Sequence, residues 1–144
     1  MLGRLTSPSA LRVVFWLSVS GFIVSLVVHV LALLGRSPAY DFFVLHVGIF
    51  VVFFPVLLAI NEQAKGVDVD LNTPGGQRDI QKALFRLLST KEKVAFVCLG
   101  LYVTGNFYVG AVSLFKHPDA PVVQLFSGVW LWFYFFCAVF AKRL

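Results

Sequence analysis

A 144-residue chain that is 59% hydrophobic and only 13% charged, with a mean hydropathy of +0.87, falls well outside the range of soluble domains, in which about 25% of residues are charged. It cannot cover its own surface with groups that water solvates, so its apolar surface must face lipid, and a free-standing soluble domain is excluded. The net charge of +5 would suit a nucleic-acid partner in a soluble protein. Here the cations follow the membrane topology instead, and no nucleic acid is expected.

The first apolar run covers residues 11–34, with Arg12 at its start. It stops at Gly35-Arg36-Ser37-Pro38, a cluster that a helix does not easily continue through. The run is longer than the core of about 7–15 residues in a cleaved signal peptide, so a permanent span is expected. Within it Ser18, Gly21, Ser25, His29 and Ala32 recur at steps of three and four, a stripe of small and polar residues that marks a helix–helix interface in lipid. The second run, residues 42–60, contains His46 and Pro55 and ends at Asn61-Glu62-Gln63. Pro55 removes the helical donor to the carbonyl of Val51, so a local kink is expected.

Residues 61–93 form a polar loop with two parts. In the first, Asp68 and Asp70 resemble calcium-binding acids, but no EF-hand glycine or terminal glutamate follows at the required spacing. In the second, residues 77–89, Ile80, Ala83, Leu84, Leu87 and Leu88 follow the helical repeat while Gln77, Arg78, Lys82 and Arg86 fall mainly opposite. Such a basic, one-sided helix is expected to lie along the inner leaflet, or to dock on a partner protein. Ser89 and Glu92 then have the spacing of a capping box that restarts the chain as a helix.

The third and fourth runs are residues 94–115 and 122–140, separated by Lys116-His117-Pro118-Asp119. On the third, Tyr102, Asn106, Gly110 and Ser113 share a stripe; on the fourth, Gln124, Ser127 and Gly128 lie toward one end. Trp130, Trp132 and Tyr134 are spread around the fourth helix, so some are expected to face neighbouring helices or another subunit. Cys98 and Cys137 lie inside apolar runs without metal-ligand spacing and read as packing residues.

Four runs of about 19–24 residues each suffice to cross a hydrocarbon core of about 30 Å, and in lipid each must be a helix. Ten of the twelve lysines and arginines lie in the N-terminal end, the long loop and the C-terminal tail, leaving Arg36 and Lys116 in the two short turns. The positive-inside rule then places both termini and the loop in the cytoplasm. The expected fold is an all-α, four-helix integral membrane bundle, a single domain over residues 1–144, in a plasma membrane of the bacterial inner-membrane type.

Two histidines at similar depth on successive helices could be ligands. His29, His46, Asn106 and Gln124 are candidates for an outward-opening cofactor pocket, and His29, His46 and His117 for a metal site. A bis-histidine b-type haem, a transition metal such as zinc or copper, and a quinone or other lipid-like molecule all suit such donors. Interhelical hydrogen bonding is the plainer role. No phosphate loop, paired catalytic carboxylates, C-x-x-C or G-x-S-x-G motif is present, which argues against an enzyme. The reading that follows is a non-catalytic subunit or accessory protein of a membrane complex. Its expected partners are membrane lipids and either other membrane subunits or further copies of itself.

Overall fold

The computed structural model describes residues 6–36, 41–64, 74–116 and 122–144, and these form five helices. They are α1 (Pro8–Leu33), α2 (Asp41–Ala64), α3 (Pro74–Leu87), α4 (Thr90–Lys116) and α5 (Val122–Arg143). His117, Asp119 and the Asp68 and Asp70 pair lie outside the described residues, and the side chain of Gln124 is likewise not described. Three helices, Pro8–Leu33, Phe43–Gln63 and Thr90–Lys116, are long and apolar enough to cross a membrane.

Each helix end has a local cause. Ser7 caps α1 by accepting the Ala10 amide at 3.3 Å, with Pro8 in the first turn, where its missing amide costs nothing. At the other end Gly35 takes φ +70°, and the amides of Gly35 and Arg36 reach back to the carbonyls of Ala32 and Leu31 at 3.0 and 2.9 Å. This is a Schellman closure, which strongly favours glycine at the left-handed position. The capping box forms as expected. Glu92 Oε2 accepts from the Ser89 amide at 2.7 Å, and Ser89 Oγ accepts from the Glu92 amide at 3.4 Å. The same carboxylate also takes a 2.6 Å ion pair from Arg143, which ties the end of α5 to the start of α4.

Several helices run past the limits of the apolar runs. α2 passes through Pro55 unbroken and continues to Ala64, while α3 begins at Pro74 rather than at residue 77. Hydropathy marks where side chains prefer lipid. The backbone ladder ends only where a residue breaks it, so the polar turn after residue 60 stays helical.

α5 sits at the centre and packs against α1, α2 and α4, and α1 also packs on α2. The reason is visible in α5's composition, which is apolar almost all round. Trp130, Leu131, Tyr134, Cys137, Val139, Phe140 and Ala141 are all buried. Among the described residues, every exposed large hydrophobic side chain belongs to the other four helices or the turn after α1, and none to α5. Of the two places expected for aromatics of the fourth run, neighbouring helices or another subunit, the described residues show the first. Trp130 and Tyr134 are buried within the chain, and Trp132 stacks on Phe136 at 5.6 Å and lies against Phe96 at 5.1 Å. Of the cysteines, Cys137 is buried as expected, whereas Cys98 is exposed on α4.

The stripe read on α1 faces inward: Ser18, Ser25, His29 and Ala32 are all buried. α3 attaches at its end. Leu88 is buried, Leu84 packs against the core, and Phe85 meets Phe96 edge-on at 5.8 Å.

Candidate functional site

Polar side chains in the interior gather around the small pair Ser127-Gly128 on α5. Small residues let neighbouring backbones approach closely, and here they admit groups from α1 and α4. An added Cβ on Gly128 would lie 2.8 Å from Asn106 Nδ2, so Asn106 rests directly on that glycine. Ser127 is fully buried, and its Oγ lies 2.7 Å from His29 Nδ1. On the other side of the imidazole, Nε2 meets the Tyr102 hydroxyl at 2.5 Å. The result is a hydroxyl–imidazole–hydroxyl chain linking α5, α1 and α4.

A neutral imidazole donates from one nitrogen and accepts at the other, and each hydroxyl can take either part. Every member is therefore satisfied without a charge inside the apolar interior, where a charged group would be costly. A serine hydroxyl this close to a histidine also resembles a nucleophile with its base. Burial argues against that use, because Ser127 offers no surface to a substrate. The histidine's second partner is also a phenol rather than a carboxylate.

His46 lies elsewhere, between α2 and α5. It is half-buried, with its ring edge-on to Phe50 at 5.7 Å and to Phe126 at 6.3 Å. The two histidines thus meet α5 at adjacent residues, Phe126 and Ser127. A cavity of about 240 Å³ beside His46 is walled by Phe50, Phe53, Phe126, Trp130 and Phe133 among others, and its lining includes neither His29 nor Asn106.

These positions bear on the cofactor readings. A haem iron held by two histidines needs a ring nitrogen from each. Both nitrogens of His29 are already engaged, so the arrangement does not fit a bis-histidine haem. Among the described residues no three His, Cys, Asp or Glu side chains gather as a metal site would require. Of the proposed cofactor set, His29 and Asn106 come together over Ser127-Gly128, and His46 stands apart.

Sequence reasoning missed Tyr134. Its ring lies against Gly21 of α1, and its hydroxyl passes over Gly48 of α2 to donate to the Leu45 carbonyl at 3.0 Å. The signal was available in two mid-helix glycines, which cost helix stability unless something packs against them. Comparison with protein-family models, with curated proteins and with solved structures finds no match to this chain.

Proposed function

We propose that this chain is a non-catalytic subunit or accessory protein of a membrane complex and that α4 is its docking helix. The carrying observation is that none of α4's 27 residues is buried, although the helix is long and apolar enough to cross a membrane. α4 packs mainly against α5. Gly105 sharpens the point. An added Cβ there would meet nothing within 4 Å, so no contact among the described residues accounts for a residue that weakens the helix by about 0.5–1 kcal/mol. Leu101 and Tyr108, both outward-facing, lie on either side of it.

In this proposal α5 is a fourth span, completing a four-helix membrane bundle. Both termini and α3 lie on the cytoplasmic side of a bacterial-type plasma membrane, as the cation distribution favours. Phe85 and Leu87 are exposed apolar residues on α3, suited to dip into the inner leaflet beside Arg78, Lys82 and Arg86.

Gly105→Leu tests the docking role. The fold should tolerate it, because the space around Gly105 is open. A partner seated on that face would meet an added isobutyl group, and overpacking of about 1–3 kcal/mol corresponds to roughly tenfold weaker association or more. Purification in mild detergent from native membranes should yield a stoichiometric complex from the parent chain and a depleted one from the variant. A lone monomer from both would refute the proposal.

The cavity beside His46 favours a second reading, a binder of a small lipid-like ring such as a quinone head group. Its walls are aromatic and an imidazole stands at its edge. Lipid extraction and mass spectrometry of the purified protein should then recover one such molecule per chain, lost in Val129→Trp, which would fill the cavity.

A further inference from the structure

The start of α1 and the end of α5 enclose a cavity of about 500 Å³, lined by Leu11, Phe15, Trp16 and Ala141 together with the cations Arg12 and Lys142. No Asp or Glu side chain lines it; Leu144 also borders it, and its carboxyl group forms no ion pair with either cation. Neither cation forms an ion pair with another described residue, whereas Arg143 next to Lys142 is taken by Glu92 at 2.6 Å. A second cavity of about 250 Å³ shares Phe15 and Lys142 with the first and extends along the two helices to Phe22 and Phe135. Glu92 lines this second cavity, but its carboxylate is already held by Arg143 and Ser89. From Leu11 to Phe22 the groove is about 16 Å long at 1.5 Å per residue, comparable to an extended acyl chain of a dozen carbons. Trp16 is exposed beside the cations, in the position where indole rings collect at a membrane boundary.

We infer that this groove holds one anionic phospholipid, with its phosphate between Arg12 and Lys142 and one acyl chain running along Phe15 toward Phe22 and Phe135. The two ends of the groove require different chemistry. An apolar channel alone would take any lipid tail, and two cations alone would take any anion. Joined, they select a molecule with a negative head and a long apolar tail, as basic clefts between membrane helices do. None of the residues around Gly105 proposed for docking lines either cavity, so the site stands or falls independently of that role.

The test is native mass spectrometry of the full-length protein in mild detergent, titrated with phosphatidylglycerol or phosphatidylcholine of equal chain length. The parent chain should retain one phosphatidylglycerol in preference to phosphatidylcholine. The paired substitution R12Q/K142Q should weaken phosphatidylglycerol binding by roughly thirtyfold, from two cations near the head group, and leave phosphatidylcholine unchanged. K82Q/R86Q, which removes the same charge from α3, should bind like the parent. R12K/K142R should also bind like the parent, so the preference can be read even where the uncharged pair folds poorly. Equal retention of the two lipids by the parent would overturn the inference, as would equal losses in both uncharged variants. Displacement of the lipid by millimolar inorganic phosphate would assign the site to a free anion and overturn it as well.

Discussion

Gly21→Ala should destabilise the folded helices by about 1–3 kcal/mol, the cost of forcing a methyl group into a closed interior. The new Cβ would fall inside the van der Waals envelope of the Tyr134 ring, so something must move. The ring has little freedom to do so. It is buried, its hydroxyl is tied to the Leu45 carbonyl at 3.0 Å, and Gly48 lies directly beneath that hydroxyl. Tyr134 is in effect a wedge from α5 that sets the spacing of α1 and α2.

A double-mutant cycle separates this contact from a general intolerance of α1 to substitution. Tyr134→Ala alone should cost about 3–5 kcal/mol through the cavity it leaves. In that background Gly21→Ala should cost almost nothing, because the group it strikes is gone. Gly105→Ala serves as the control. With open space around it, it should be neutral or stabilising by up to about 1 kcal/mol. Unfolding in one detergent, followed by tryptophan fluorescence, measures all four variants. Equal costs for Gly21→Ala with and without the Tyr134 ring would show that the wedge is not what sets the spacing.

His29→Ala should cost about 1–3 kcal/mol, because it removes one partner from each of two hydroxyls and leaves Ser127 fully buried with a lost bond. Interhelical hydrogen bonds in membranes are worth only about 0.6–2 kcal/mol each, so the upper half of the range requires both bonds to contribute. Tyr102→Phe should cost less, since His29 keeps Ser127. The two variants should also differ from a packing defect in where they act. Tyr102 is a hydrogen-bonding link from α4 to α1, and hydrogen exchange should quicken along α4 before α2. Absorption spectrum and bound-metal content should be unchanged, as the engaged ring nitrogens imply. Loss of a Soret band or of stoichiometric metal in His29→Ala would instead identify the residue as a ligand and overturn the structural role.

How much of this was legible beforehand depends on the range of the interaction concerned. The capping box at Ser89 and Glu92 and the closure at Gly35 are contacts within a few residues, and the chain itself spells them out. The inward stripe on α1 was also legible, because Ser18, Ser25 and His29 are polar residues that lipid would reject. By contrast, the partners of His29 lie 98 and 73 residues away. Periodicity could show that the imidazole turned inward, but not that both nitrogens were already satisfied. Arg143 with Glu92 is a similar case, because a surface cation's partner is set by where two helix ends happen to meet.

The amino-acid order alone decided that three helices are long and apolar enough to cross a membrane, because the transfer of about twenty apolar residues to lipid and the hydrogen-bond demands of a backbone there are properties of local composition. Only the tertiary structure decided that α5 is the central helix and α4 the bare one. The physical reason is that lipid tails are as apolar as leucine. A tryptophan or phenylalanine facing hydrocarbon looks the same in sequence as one facing a neighbouring helix, and shape complementarity, such as an aromatic ring over a glycine, has to choose between them.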